Sequence, residues 1–423
     1  MPTQRIAVIG AGPKGAAIAA KAWCLRKEHF DVQVTVFDRY EPGAYWSGNH
    51  GYTDGEQRLC TPAERDLGFP YSHALDASVA ARMQANFSWQ AFLVAEGGGG
   101  RYADWVNHGR KPPQHQDFAS YLAFAFERAE TEPVIATVQK VTIENGKWSV
   151  ITGRGRNASA YDGFDGLVVT GPGPAKSKVV QVKDARVFNG IDFWSRIAER
   201  QAAIDALGVN GVVIIGGGGT AAAVTAWFLR NNHRVPIYLI NSQAMLFTRT
   251  ANFFESRLFD DEATWRALGP KNQRVFSERL NRGVVWETIT DLLADAENLE
   301  LLPGYADRIE APAPVGVSPL VVTYSNSQAN GLMRSAGLVI DATGFDEWDF
   351  LRLLPGEVQA QLTDDTMRKA KTAAMARDLS LPLEDAPRLH APNLSEAIGP
   401  GFQSLMVLGA MSDRVLTPYR DIA

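Results

Sequence analysis

Two short apolar runs in this chain each lead directly into a glycine-rich turn and then an alanine-rich stretch with helical spacing. The first is Arg5 to Ile9, followed by Gly10, Gly12 and Gly15. The second is Gly211 to Ile215, followed by Gly216, Gly218 and Ala221. Each is succeeded by another apolar run, Val32 to Phe37 and Pro236 to Ile240, so strand, turn, helix and strand make a βαβ unit twice. Such a unit forces a parallel sheet with helices on its faces. The fold class expected is therefore α/β, with two Rossmann-like dinucleotide-binding domains.

A GxGxxG string by itself is weak, and a glycine-rich turn without a ligand is its bland reading. The first string, however, follows a strand, opens a helix and precedes Asp38 at the end of the next strand. Gly10 makes the tight turn, Gly12 lets a pyrophosphate approach the backbone, and Gly15 lets helix pack on strand. The helix expected over Ala16 to Lys27 offers N–H groups and a positive dipole at its N-terminus, with Pro13 in the turn before it, and Asp38 is placed to accept ribose hydroxyls. The second string differs at the acidic position: its strand ends in Asn241-Ser242. A carboxylate there would repel a 2′-phosphate, so this site suits NADPH better than NADH. Gly216, Gly217, Gly218, Gly219, Thr220 and Ala221 form its turn, and Ser242, Arg249 and Arg234 are candidate phosphate partners. A solvated surface arginine is the plain alternative for both arginines. Two dinucleotide sites in one chain imply electron transfer, with FAD retained in the first and hydride delivered from the second. Arg39, Trp46 and Leu59 complete the FAD-side candidates, with core packing the competing role for Trp46.

At 423 residues the chain is long enough for two or three domains, and its 45% hydrophobic and 21% charged content is that of a globular protein. A net charge of -5 with scattered Lys and Arg argues against nucleic acid. The two cysteines, Cys24 and Cys60, form no CxxC pair, and the histidines show no HxxxH or HExxH spacing, so no metal is expected. The N-terminus runs straight into a strand and no stretch of about 20 apolar residues occurs, which predicts a cytoplasmic chain without a membrane span.

Between the two fingerprints, Glu41 to Arg65 is rich in Gly, Asn, Thr and Asp without a period, and reads as a long functional loop. A helix is expected over Phe118 to Glu130, and strands over Lys147 to Thr152 and Gly166 to Thr170. Gly171-Pro172-Gly173-Pro174 marks a domain boundary, and Gly337 to Ile340 reads as a strand returning to the first domain. The expected division is 1–174, 175–335 and 336–423. Gly97 to Gly100 reads as a loop tip.

Several stretches resemble the flavin-dependent N-hydroxylating monooxygenases of siderophore biosynthesis, most closely the mycobactin and nocobactin type lysine N6-hydroxylases. They are GAGPKGAAIAAKA at Gly10 to Ala22, GYTDGEQRLCTPAERDLGFPY at Gly51 to Tyr71, VTGPG at Val169 to Gly173, and IGGGGTAA at Ile215 to Ala222. FTRTANFFESRLF at Phe247 to Phe259, DATGF at Asp341 to Phe345, and GPGFQSLMVLGAMSDRVLT at Gly399 to Thr417 complete the set. The likeness covers essentially the whole chain, and the loop, FFESRLF and C-terminal stretches are its specific part. It implies an FAD domain built from both chain ends, an inserted NADPH domain, and a small helical substrate region at about 350–395. It places the substrate carboxylate on Arg65, where the family usually has lysine, and the family's substrate asparagines at Ser256 and Asn281. The Leu-Ser pair that closes over substrate and flavin falls on Leu416-Thr417.

The reaction the resemblance implies is N-hydroxylation of the side-chain amine of L-lysine, or of a lysine-containing precursor, through a C4a-hydroperoxyflavin formed from NADPH-reduced FAD and dioxygen. No protein residue is assigned as a catalytic acid or base. An amine with an ordinary pKa of ~10.4 must be held neutral by desolvation or an acceptor. Asn281 and carbonyls near Leu416 are the expected acceptors, and the nicotinamide nucleotide, held by Gly217 and Thr220, is the expected lid. Ornithine, a diamine or carrier-bound lysine are alternative substrates. Oxidation of carbonyls or sulfur is a rival activity, although no FxGxxxHxxxWP string occurs between Gly15 and Gly216. A flavin-binding redox scaffold is the non-enzymatic alternative. A homo-oligomer, dimer or tetramer, is expected.

Overall fold

The computed structural model describes residues 3–71, 77–153, 155–207, 210–232, 234–243, 246–249, 252–280, 284–314, 316 and 318–420. The strands that build the site are β1 (Gln4–Ile9), β2 (Val32–Asp38), β3 (Val134–Ile135), β4 (Gly166–Val169), β5 (Val187–Asn189), β6 (Val212–Ile215), β7 (Ile237–Asn241), β8 (Leu299–Pro303), β9 (Leu338–Asp341) and β10 (Arg388–His390). Its helices are α1 (Pro13–Lys27), α2 (His115–Arg128), α3 (Gly219–Asn231), α4 (Phe253–Asp260), α5 (Glu262–Ala267) and α6 (Leu408–Leu416).

Two parallel five-stranded sheets share one plan. The first runs β10-β4-β1-β2-β3 and the second β5-β9-β6-β7-β8. In each, a largely apolar central strand carries the glycine turn at its carboxyl end, where neighbouring strands connect to opposite sides and leave a crevice. Val212–Ile215 is buried at every residue, as a strand covered by helices on both faces must be. Two antiparallel three-stranded sheets, Val138–Glu144 with Lys147–Thr152 and Ser159–Phe164, and Tyr305–Glu310 with Leu320–Ser325 and Leu332–Ala336, flank the two units.

Helix α1 starts at Pro13, inside the fingerprint, earlier than the expected Ala16, because Gly12 supplies the extended N-cap and Pro13 fits the first helical position. Its alanines 16, 17, 19, 20 and 22 are wholly buried. Small side chains let it lie close to the sheet and to α6 on its other side. Lys21 and Asp413, 2% and 6% exposed, join the first helix to the last by a 2.6 Å ion pair. Removing one partner would strand a buried charge at a cost of about 3–5 kcal/mol.

The return of the chain differs from the expectation. Leu338–Asp341 pairs with β6 and β5 and belongs to the second sheet, so the first sheet is not re-entered at 336. Its apolar run is the same kind of sequence a first-sheet strand would have, and only pairing distinguishes them. The outgoing and incoming chains cross side by side: Lys176 N–H donates to Gly344 O at 2.9 Å and Asp346 N–H to Pro174 O at 2.8 Å. Past this crossing, helical segments between 349 and 373 lead to β10, which completes the first sheet. The Gly97–Gly100 run joins two helices, Trp89–Gly97 and Gly100–Asn107, through left-handed Gly98 and Gly99. Among the described residues no helix is long and apolar enough to cross a membrane.

Candidate active site

The first glycine turn is shaped by contact. Gly10 sits at φ +118°, and a Cβ there would lie 2.0 Å from Thr170 Oγ1. A Cβ on Gly15 would lie 2.1 Å from Gly10 O, so this glycine is required by helix-to-strand packing. Gly12 is different: a Cβ there would meet nothing within 4 Å. Its backbone faces open space at the mouth of α1, whose N-terminus has no side-chain cap. That combination fits a diphosphate, which needs close approach and unsatisfied N–H groups.

Asp38, at the end of β2, accepts from Ala11 N–H at 2.7 Å and Tyr40 N–H at 3.3 Å. Burial pushes its carboxyl above the usual range, and the N–H groups of Ala11, Tyr40 and Arg39 and the Arg39 charge oppose that rise. Arg39 lies over the rings of Tyr40 and Tyr45, 5.7 and 5.9 Å from their centres. Trp46 packs edge-on against His115 (4.9 Å) and Phe118 (5.2 Å), and Leu59 is buried in the same core. Lys14, absent from the sequence candidates, occupies the fingerprint itself and is 8% exposed. Its ammonium donates to Asn393 Oδ1 and, at 2.9 Å, to Gln403 O. Desolvation pulls its pKa down to about 8, against the opposing charge of Glu347. A lysine between two fingerprint glycines was the one available signal.

The second turn repeats the geometry. Gly216 has φ +131°, with a Cβ there 2.6 Å from Ala342 O, while Gly218 and Gly219 face open space and Ala221 is fully buried. Gly217 lies against Asn241, whose Cβ would be 3.2 Å from a side chain added there. Asn241 is 6% exposed; its Oδ1 accepts from Gln243 N–H at 2.9 Å, and its Nδ2 is buried with no partner. A donor thus stands where the first unit has a carboxylate. Thr220 packs against Gly190, and Ser242 and Arg234 are exposed. The backbone of Arg249 lies in the strand Phe247–Arg249, and its side chain lies outside the described residues.

The loop after the first turn bridges to the second unit. Gln57 Nε2 donates to Ala223 O at 3.1 Å, and Arg230 pairs with Asp54 at 2.5 Å. Both contacts reach α3, the helix of the second turn.

Beyond that bridge, a pocket of about 490 Å³ opens between α4, α5 and α6. Pro70, Leu258, Phe259, Trp265 and Phe402 give it apolar walls, and Asp260, Glu262, Asp378, Asp413, Arg414 and Thr417 supply polar groups. Arg65 is next to Asp260: its Nη2 reaches Asp260 Oδ2 at 3.3 Å, its Nη1 donates to Met406 O at 3.1 Å, and its guanidinium lies 4.5 Å from the Phe69 ring centre. Burial alone would raise the Glu262 carboxyl, but Arg414, Arg377 and Arg266 hold it below its usual range. Ser256 is half-buried on α4, one turn before Asp260, and Thr417 donates to Asp413 O at 2.7 Å. The side chain of Leu416 is wholly buried in the first core and is not part of this pocket's lining. The helical spacing of α6 turns it inward, while Asp413 and Arg414 on that helix and Thr417 just past its end line the pocket. Asn281 lies outside the described residues. Asp260 and Met406 were missed because they stand 195 and 341 positions from Arg65.

Residues 75–293 match the family of L-lysine 6-monooxygenase/L-ornithine 5-monooxygenase. The L-lysine N6-monooxygenase MbtG of Mycobacterium tuberculosis is 34% identical over 427 aligned positions, covering 97% of this chain and 94% of that protein. This chain belongs to that family. The MbtG of Mycolicibacterium paratuberculosis is 32% identical over 97% of the chain and 94% of its own length. Among solved structures, the lysine monooxygenase NbtG of Nocardia farcinica superposes with a TM-score of 0.79 at 29% identity, over 98% of this chain and 100% of that one. An ornithine N-hydroxylase of Kutzneria, KtzI, solved with reduced FAD, NADP+ and L-ornithine, shares the fold at TM-score 0.76 and 17% identity, over 99% of each chain. The family's two-nucleotide plan accounts for the paired sheets, and the pocket beside Arg65 lies where α4 and α5 reach from the second unit onto the first core.

Proposed function

We propose that this protein is an FAD- and NADPH-dependent monooxygenase that hydroxylates the side-chain nitrogen of L-lysine, or of a lysine-containing precursor, for hydroxamate siderophore biosynthesis. The observation that carries the reading is the duplication of the open glycine turn. Two uncapped helix mouths with cleared backbone, bridged by Gln57 and Asp54, provide for two dinucleotides in one molecule.

FAD, when bound, supplies two-electron reduction by NADPH and activation of dioxygen, with one oxygen atom passing to the amine and the other leaving as water. Residues of this chain do the holding. Gly12 and the α1 N-terminus receive the FAD diphosphate, and Asp38 the adenosine ribose. Gly218 and the α3 N-terminus receive the NADPH diphosphate, with Asn241 donating on the ribose side. Segments 3–174 and 346–420 hold FAD, and 175–345 holds NADPH. The pocket beside Arg65 takes the substrate. Ser256, Asn281 and Thr417 are assigned to its polar contacts, and Leu416 acts only by packing. The apolar walls favour the neutral amine by withholding water from an ammonium.

The test is a panel of L-lysine, L-ornithine and 1,5-diaminopentane, with hydroxylamine product measured against NADPH consumed. Near-stoichiometric hydroxylation of a lysine side chain is expected. NADPH oxidation yielding only hydrogen peroxide with every amine, or flavin reduced without amine-dependent turnover, would overturn the reading. Assembly into a dimer or tetramer and residence in the cytoplasm belong to the same proposal, read by light scattering and by cell fractionation.

A further inference from the structure

Lys14 occupies a poor place for a cation. It is the second residue of α1, where the helix dipole opposes positive charge, and its ammonium is buried as well. Groups from the far end of the chain hold it there, with the charge of Glu347 nearby. The ammonium donates to Asn393 Oδ1 and, at 2.9 Å, to Gln403 O, partners 379 and 389 positions away. Asn393 lies in the short helix Pro392–Leu394 just past β10, so it is tied to the first sheet. Gln403 belongs to a segment of a different kind.

Residues 401–407 form an irregular strap that leads into α6. Its hydrogen bonds run in series. The Ser404 N–H and hydroxyl donate to Gly401 O at 3.2 and 3.0 Å, and Met406 N–H donates to Ser404 Oγ at 3.2 Å. Met406 O then accepts from Arg65 Nη1 at 3.1 Å. Close packing leaves the strap little slack: a Cβ on Gly401 would lie 2.4 Å from Phe259 O, and one on Gly409, just past it, 2.1 Å from Gly68 O. The strap thus meets the first glycine turn through Gln403 and the Arg65 guanidinium through Met406, within a single turn of chain.

We infer that Lys14 is a positioning residue for the substrate side of the site: by pinning Gln403 to the first glycine turn it sets the Met406 carbonyl and, through that carbonyl, the Arg65 guanidinium. The inference rests on the reading above in which the amine pocket lies beside Arg65. In it, one buried ammonium holds the cofactor turn and the substrate wall in a fixed relation.

The experiment uses FAD-loaded protein and the variants Lys14→Met, Arg65→Ala and the two combined, at saturating FAD and NADPH, with L-lysine or L-ornithine, whichever the parent hydroxylates better. Lys14→Met should raise the amine KM about tenfold, as loss of a charge-assisted hydrogen bond does, while kcat falls less than about threefold. In the Arg65→Ala background the same substitution should change KM by less than about twofold, because its effect passes through Arg65. Amide hydrogen exchange reads the strap without turnover: residues 401–407 should exchange about tenfold faster in Lys14→Met, with α3 unchanged. Equal KM effects of Lys14→Met in the two backgrounds overturn the inference. So does a Lys14→Met protein whose FAD affinity falls while amine KM and strap exchange keep their parent values, since the lysine then serves the cofactor alone. If either variant fails to fold, Lys14→Gln and Arg65→Gln carry the same comparison. A parent that hydroxylates neither amine removes the N-hydroxylase reading, and the exchange result then decides whether Lys14 pins the strap.

Discussion

The two glycine turns have nearly the same backbone and opposite chemistry at the strand that follows. After the first, Asp38 offers a half-buried carboxylate that accepts from Ala11; after the second, Asn241 offers a buried amide whose donor is unpartnered. Gly10 and Gly216 adopt matching positive φ angles against different obstacles, Thr170 in one case and Ala342 in the other. The backbone plan is set by what a diphosphate requires. In the proposed assignment the nucleotide is chosen one strand away, by a side chain that either accepts from ribose hydroxyls or tolerates a phosphate on one of them. Under that assignment the two units share one turn and differ in the residue that follows it.

The sharpest way to break that comparison is to fill each cradle separately. Gly12→Leu puts a side chain where the structure has space, so the fold should survive while FAD affinity falls about a thousandfold, near 4 kcal/mol. Flavin content and circular dichroism of the purified variant read this, and Gly15→Leu should by contrast prevent folding. Gly218→Leu should leave FAD content intact and reduce the rate of flavin reduction at fixed NADPH by a similar factor. Loss of FAD in Gly218→Leu, or its full retention in Gly12→Leu, would invert the assignment of the two units.

The next effect concerns acid. His115, packed on Trp46 and bonded to Thr53 Oγ1 at 2.8 Å, has its pKa pulled down to about 4 by burial, with Asp54 opposing. Its unfolded pKa is ~6.5, so the unfolded chain binds more protons between these values. This contribution is fully present above pH 6.5 and is lost as pH falls toward 4, by up to about 3 kcal/mol. The melting temperature should drop over that window with release of FAD, and His115→Gln should flatten the drop. An identical acid profile in parent and variant would show that the imidazole does not govern it.

The smallest change tests the side chain that separates the turns. Asn241→Asp should cut the preference for NADPH over NADH roughly ten- to hundredfold, about 1.4 to 2.8 kcal/mol, by setting a carboxylate near the 2′-phosphate. Steady-state kcat/KM with each coenzyme measures it. Equal use of both coenzymes by the parent would remove Asn241 from the selection.

Much of this organisation was legible in the sequence. The apolar runs Arg5 to Ile9 and Gly211 to Ile215, with glycines at fixed offsets, determine both central strands, both turns and the helices after them, because backbone sterics and burial act within a few residues. Asp38 and Asn241 follow from the same local grammar. What the tertiary structure decided is pairing over distance. The run at Leu338–Asp341 has no feature that assigns it to one parallel sheet rather than the other; hydrogen bonding to β6 and β5 does so. Leu416 and Thr417 are neighbours in the chain, yet the turn of α6 buries one in the core and leaves the other on the pocket. Arg65 looks like a ready anion site in its loop, and becomes a neutralised one only when α4 brings Asp260 within 3.3 Å. A side chain's charge belongs to the sequence, but the field in which it acts belongs to whichever elements the fold packs against it.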